Sequence, residues 1–298
     1  MTGREQGFLL LSSHLGNPER KPLTTAQLRI LSARAKTMEK PEDQREMTEA
    51  DLVAIGYDWE TARRILHLLS DTEQLNWYVS RAARRDCFPL TRVSPEYPWI
   101  LRRLGNERPG CLWAKGDVSL LTKPAVALVG SRDLAPANQA FAEAVGRQAA
   151  LQGYVLVSGN ARGADKTAQQ ACLEAGGQVI SVVADELEKH LLQKHVLYLS
   201  EDGYDMPFST IRALSRNRVI HALGALTIVA QSGLYKGGTW DGTEKNLRKN
   251  LSPVCCFDDG SQATRELAQM GATLIGPEDL ADLKALSKVN YSFLNNEI

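Results

Sequence analysis

Ala125-Val-Ala-Leu-Val-Gly-Ser-Arg132 is a run of five apolar residues closed by a glycine, a hydroxyl and a guanidinium. A strand buried on both faces reads this way, because neither of its faces alternates with polar residues. Outward from it, Pro136–Leu151 has helical spacing and is stopped by Gly153. The strand Tyr154–Ser158 follows, then a helix over Ala164–Ala175 stopped by Gly176-Gly177, then the strand Gln178–Val183. Further on come a helix at Leu187–Lys194, a strand at Val196–Leu199, a helix over Ile211–Leu223 and the strand Ala225–Ala230. A glycine loop at 233–242 leads into a helix over Thr243–Lys249. The strand Val254–Phe257, helix Gln262–Met270, strand Thr273–Ile275 and a last helix from Pro277 complete the unit. Strands separated by helices of about 10–15 residues imply βαβ crossovers. The fold class is α/β, a Rossmann-like open parallel sheet with helices on both faces.

The texture before this unit differs. Residues 1–85 read as helices. Thr24 or Thr25 caps the run Ala26–Lys36, and Thr48 with Asp51 opens a short helix that ends at Gly56. Trp59, Ile65, Leu66 and Leu69 recur at helical spacing, and Leu75, Tyr78 and Val79 continue beyond Asp71. Lys36–Glu49 is charged, contains Pro41 and reads as an exposed loop. Cys87–Val93 and Cys111–Ala114 read as short strands, while prolines at 95, 98 and 109 keep Ser94–Gly110 irregular. Four stretches result: a small helical N-terminal domain over 1–85, an extended connecting segment over 86–123 packing on the next domain, the Rossmann-like domain over 124–290, and a tail over 291–298.

Of 298 residues, 43% are hydrophobic and 23% charged, which suits about two globular domains and excludes disorder or collagen. Thirty-five basic side chains balance thirty-five acidic ones, so no global field attracts a polyanion. Up to residue 124 there are 19 basic and 16 acidic residues, and beyond it 16 and 19. Any nucleic-acid site is therefore a local concentration of arginine and lysine. No stretch reaches the ~20 apolar residues of a bilayer span, and the short run Phe8–Leu11 is no signal peptide. Cys87, Cys111, Cys172, Cys255 and Cys256 form no CxxC pair, and the histidines show no zinc spacing. Neither a metal nor a cofactor is expected. Cys255 and Cys256 read as small buried hydrophobes, which fits a reducing cytoplasm.

In an open parallel sheet, ligands bind where strand-ending loops pass into helix N-termini. Four such loops join glycine to cations or hydroxyls. Gly130-Ser131-Arg132 offers a sharp turn, a hydroxyl and a planar cation. Ser158-Gly159-Asn-Ala-Arg162-Gly163-Ala-Asp165 is a glycine-bracketed turn at a helix start, with Asp165 able to cap the helix or position an arginine. Ser215-Arg216-Asn217-Arg218 puts two cations and an amide on the helix that feeds the next strand, and Ser232–Glu244 is rich in glycine. Each alone reads as a turn or a solvated face. Together they want phosphate groups, with Lys236, Gly237, Gly238 and Thr239 completing the set. The pattern GxGxxG is absent, which argues against a dinucleotide. Gly159–Thr167 departs from a P-loop because Asp165 precedes Lys166 where glycine is required, which excludes an NTPase.

Ala125–Arg132, Ser158–Asp165 and Ser215-Arg-Asn-Arg-Val-Ile220 stand in the order and approximate spacing of the DNA-processing protein A (DprA/Smf) family, which the sequence resembles. The approach Ser94-Pro-Glu-Tyr-Pro98, Leu101 and Leu112-Trp-Ala-Lys-Gly-Asp117 resembles that family as well, so the likeness spans roughly 87–258. Residues 1–85 sit where the family carries a small helical domain, of the SAM or helix-hairpin-helix kind. The resemblance implies a cytoplasmic, homodimeric, non-enzymatic binder of single-stranded DNA. It would act in natural transformation and recombination by protecting the strand and loading RecA. It also implies that Ser131, Arg132, Ser158, Gly159, Arg162, Gly163, Arg216, Asn217 and Arg218 line the groove, with Trp240 and Tyr235 as stacking candidates. The sequence is a divergent member: Asn160 stands where the family has Leu, Ala164 where it has Ile or a similar apolar residue, and Ala213-Leu214 where it has Phe-Pro. Lys236–Glu244 also resembles the loop of LOG-type nucleoside monophosphate phosphoribohydrolases, which share this Rossmann variant. In that alternative Glu244 is catalytic; otherwise it complements the helix dipole.

Overall fold

The computed structural model describes residues 1–38 and 46–288. The expected tail at 291–298 and part of the Lys36–Glu49 loop lie outside them. Reciprocal capping starts the first three helices: Thr2 with Glu5 at α1 (Gly3–Ser12), Thr24 with Gln27 at α2 (Thr25–Ala35), and Thr48 with Asp51 at α3 (Glu49–Ala54). Asp58 caps α4 (Trp59–Ser70), and α5 (Thr72–Ala83) follows directly. Leu23, Leu28, Leu52, Ala62, Ile65 and Leu68 form a local core among them. Buried Arg20 ties these helices together by donating to the carbonyls of Leu10, Ser13 and Leu68 and pairing with Asp71. Tyr78 joins α5 to the main body. Its ring packs on Trp113 and Tyr204, and its hydroxyl donates to Asp205 Oδ1 at 2.6 Å.

The segment after α5 does more than pack on the sheet. Strands β1 (Phe88–Thr91) and β2 (Cys111–Gly116) are antiparallel to each other, and β2 pairs antiparallel with β6 (Val196–Ser200). Between them, Trp99–Glu107 forms 3₁₀ turns broken at Gly105, so the prolines bound a turn structure where irregular chain was expected.

The parallel part contains β3 (Ala125–Val129), β4 (Val155–Ser158), β5 (Gln178–Val182), β6, β7 (Leu226–Val229), β8 (Val254–Phe257) and β9 (Thr273–Ile275). The nine strands lie in the order β1-β2-β6-β5-β4-β3-β7-β8-β9. All five residues of β3 are buried, as the apolar run requires. Val126 and Leu128 face a core shared with α6 (Pro136–Leu151) and α7 (Ala164–Glu174). Ala125, Ala127 and Val129 face the opposite core, shared with α9 (Asn217–Leu223), α10 (Gly237–Lys249) and α11 (Gln262–Gln269). From β3 the chain runs outward to β4, β5 and β6, then returns to β7 on the other side of β3. The carboxyl ends of β3 and β7 therefore flank the topological switch point.

Several elements differ from the sequence expectation. Only Leu187–Lys189 of the expected helix Leu187–Lys194 is helical, as a 3₁₀ turn. The single helix Ile211–Leu223 is two, α8 (Thr210–Ser215) and α9, joined at Arg216. Helix α10 begins at Gly237, not Thr243, so the glycine loop supplies its first turns. Beyond Pro277 a 3₁₀ turn, Glu278–Asp282, precedes α12 (Leu283–Lys288).

Beneath α9 and α10, fully buried His221 accepts at Nδ1 from Asn246 Nδ2 (3.1 Å), and Asn246 and Thr227 also hold Ser252. Burial holds the imidazole down to about 4, from an ordinary 6.5. The folded state thus keeps His221 neutral, while the unfolded chain takes up a proton as pH falls through 6.5. The stability present above that pH is lost between there and about pH 4, by ~3 kcal/mol. A His221→Gln variant, denatured by urea at pH 7 and pH 4, is expected to lack this part of the acid sensitivity. An unchanged slope would show that other groups carry it.

Candidate nucleic-acid interface

At the switch point the loops after β3 and β7 meet α8, α9 and the start of α10 around a cleft of about 430 Å³. Gly130, Ser131, Arg132, Asp165, Arg216, Asn217 and Lys236–Thr239 line it, as do Phe208 and Leu214. A second hollow of about 320 Å³, lined by Gly159–Arg162 and Asp185, shares Arg132, Phe208 and Arg216 with the first.

Arg216 dominates this site. It sits at the break between α8 and α9 and is 8% exposed. Its Nε and Nη1 are buried and have no hydrogen-bond partner among the described residues. Buried donors without a hydrogen-bond partner are costly, so this guanidinium keeps donor capacity that an anion could use. Gly159 makes room for it: a Cβ there would lie 1.2 Å from Nη1. Burial pushes the Arg216 guanidinium down and the neighbouring Asp165 carboxyl up, while each favours the other's charged form. Asp165 Oδ2 is also held by the N–H groups of Gly159 (3.0 Å) and Ala161 (3.2 Å), which fixes the β4 loop. Between them, Asn160 adopts φ +59, a left-handed conformation that asparagine tolerates better than an apolar residue.

The remaining candidates separate by position. Ser131 binds Gln231 through its N–H (3.0 Å), linking the β3 and β7 loops, and Arg132 is exposed at the rim. Gly163, at φ +84, lies where a Cβ would come 2.4 Å from the carbonyl oxygens of Ser131 and Arg132, so it locks two loops together. Ser158 is fully buried and accepts from Gln169 Nε2 at 2.5 Å, away from the cleft surface. Exposed Arg162 pairs with Asp133 at 2.6 Å. Asn217 lines the cleft and donates to the Gly238 carbonyl at 2.9 Å. Arg218 lies against Glu201 in a two-pronged pair (3.1 and 2.6 Å) and is not among the cleft-lining residues.

Lys236, Gly237, Gly238 and Thr239 are the N-cap and first turn of α10, with no side chain capping their N–H groups. That end of a long helix favours an anion. Trp240 is buried in the core, whereas Tyr235, edge-on to it at 4.9 Å, is 65% exposed. Glu244 lies further along α10, pairs with Arg248 at 2.7 Å and does not line the cleft. The sequence reading missed Phe208, which is 54% exposed and shared by both hollows. Its one signal was an aromatic residue directly before a helix-capping serine, Ser209.

A family model for DNA recombination-mediator protein A matches residues 89–285. The chain belongs to that family. The DNA processing protein DprA of Bacillus subtilis is 28% identical over 216 residues, covering 67% of this chain and 72% of that one. Its counterpart in Streptococcus pneumoniae is 31% identical over 207 residues, covering 63% and 71%. The solved S. pneumoniae DprA structure superimposes with a TM-score of 0.70 at 24% identity, covering 95% of this chain and 98% of that one. Helicobacter pylori DNA processing protein A, solved for its single-stranded DNA binding mode, gives 0.57 at 24% identity over 67% and 95%. Both share the fold. Among the described residues no helix is long and apolar enough to cross a membrane, and no group of His, Cys, Asp and Glu is placed to hold a metal ion. The chain is a DNA-processing protein of α/β architecture.

Proposed function

We propose that the cleft is the centre of a groove for single-stranded DNA, and that the protein binds the strand without turning it over. The carrying observation is the buried guanidinium of Arg216, with two donor nitrogens that have no hydrogen-bond partner among the described residues, bordering a cleft that Arg132, Lys236 and the first turn of α10 also line. Cations and main-chain donors track a backbone irrespective of sequence, and an exposed ring such as Phe208 or Tyr235 supplies a stacking face. Ser131, Gly159 and Gly163 shape the loops, Asn217 fixes the first turn of α10, and Ser158 and Arg218 hold the scaffold behind them. Arg162 joins the groove only on leaving Asp133. Membership of the family supports a cytoplasmic role, as a homodimer, in protecting incoming strands and passing them to RecA in transformation and recombination.

Fluorescence anisotropy with a labelled oligothymidylate, its duplex and free nucleotides tests the reading. Single strand is expected to bind most tightly. Arg132→Ala is expected to weaken all sequences alike and to flatten the log–log salt dependence by ~0.7, one single-strand phosphate contact. Equal affinity and slope in parent and variant would remove Arg132 from the interface, and failure of every single strand to bind would overturn the reading.

A further inference from the structure

The cleft offers an anion more than an internal strand phosphate can use. Arg216 contributes two unpartnered N–H-bearing nitrogens from the α8–α9 break. The first turn of the 13-residue helix α10 contributes N–H groups that no side chain caps. Exposed Arg132 adds a second cation, against the single carboxylate, Asp165, that lines the same pocket. These donors come from three separate segments around one pocket. An internal phosphodiester has one charge, two free oxygens and two ester arms that must both leave the pocket. A phosphate monoester has three free oxygens, a charge of about −1.5 to −2 at pH 7 and a single arm. A guanidinium as buried as Arg216 is reached more easily by a group with one arm, and a doubly charged group gains more from meeting it.

We infer that the pocket between Arg216 and the first turn of α10 takes a phosphate monoester, the terminal phosphate of a DNA single strand, in preference to an internal phosphodiester. This rests on the single-strand reading above and assigns its deepest subsite. The half-exposed Phe208 ring, bordering the same pocket, is placed to meet the terminal base. The same chemistry is carried by a free nucleoside monophosphate, so the test separates the two sources.

Oligothymidylates of one length, bearing a 5′-phosphate, a 3′-phosphate or only hydroxyl ends, are competed against one labelled hydroxyl-ended strand, beside a circular strand and dTMP. One of the two phosphorylated ends is expected to compete about tenfold better than the hydroxyl-ended and circular strands. In Arg216→Gln all affinities fall and this ratio collapses to about one. Arg216→Lys, which keeps the charge but loses the fork, retains part of it. Thermal melts of both variants confirm that they are folded. Equal competition by every strand, the circle included, overturns the terminal subsite and leaves the single-strand reading standing. Binding of dTMP without any strand overturns the strand reading while keeping a monoester pocket. Binding of neither overturns both.

Discussion

Replacing Gly159 with alanine is expected to weaken single-strand binding by about a hundredfold and to cost less in folding stability, chiefly through the counter-charge that Asp165 loses. A Cβ at this position falls 1.2 Å from Arg216 Nη1 and 2.0 Å from its Cζ, so the guanidinium has to leave its seat. What moves is the far end of a flexible side chain. The three nearest atoms all belong to that side chain, and Gly159 has no positive φ to be strained by the substitution. The Gly159 N–H to Asp165 bond does not involve the new methyl group. Two charge-assisted donors are withdrawn, each worth ~1.5–3 kcal/mol, and the lower end of their sum corresponds to about a hundredfold. Releasing Arg216 toward solvent also relieves its desolvation, which offsets part of whatever packing is lost. Anisotropy titration and urea denaturation of one preparation check both halves. Binding within twofold of the parent would mean that Arg216 is not a ligand-contacting group. A large fall in stability would mean that its seat is structural.

The fold was legible where burial leaves a period in the sequence, and the site was legible as chemistry but not as orientation. Ala125–Val129 could be read because a strand covered on both faces tolerates only apolar residues. Thr24 and Thr48 cap helices where they were read to, because such local hydrogen bonds leave a local signature; Thr2, Asp58 and Ser261 cap helices that were not read this way. Arg216 and Arg218 were both recognisable as cations on a segment feeding β7. Two residues apart on a helix they face different ways, and nothing in their identity says which meets the cleft and which meets Glu201. Glycine costs ~1 kcal/mol in a helix interior, which is why 233–242 read as a loop. Tertiary contact overrides that preference. At Gly238 a Cβ would come within 3.2 Å of Leu214, and at Gly242 within 3.1 Å of His221, so the missing side chains ease the close approach of α10 to α8 and α9. The same early helix start places Trp240 on the inner face, in the core, and leaves Tyr235 and Phe208 as the accessible rings.

Arg218→Ala is expected to destabilise the protein by ~3–5 kcal/mol, the usual consequence of removing one member of a buried ion pair. The pair is two-pronged, with Nη1 at 3.1 Å and Nη2 at 2.6 Å from the two Glu201 oxygens. Arg218 Nε also donates to the Glu107 carbonyl at 3.0 Å, so one side chain fastens the end of β6, the 3₁₀ segment and α9. Burial pushes the Glu201 carboxyl up, and Arg218 is what brings it back toward the charged form. Without the arginine, a desolvated carboxylate remains at neutral pH with no counter-charge at hydrogen-bonding distance. The folded state then binds a proton on Glu201 more readily than the unfolded chain does. The deficit is therefore full at high pH and shrinks as pH falls through the raised value. Glu201→Gln in the Arg218→Ala background removes the stranded charge and is expected to restore most of the lost stability. Urea denaturation of the parent, the single and the double variant at pH 7 and pH 5 resolves these terms. A single variant as stable as the parent, or a deficit indifferent to both pH and the second substitution, would show that the pair is solvated. The same preparation, titrated with single strand under conditions where it is folded, is expected to lose far less affinity than Gly159→Ala, because Arg218 spends its donors on the scaffold and Arg216 keeps its own for the ligand.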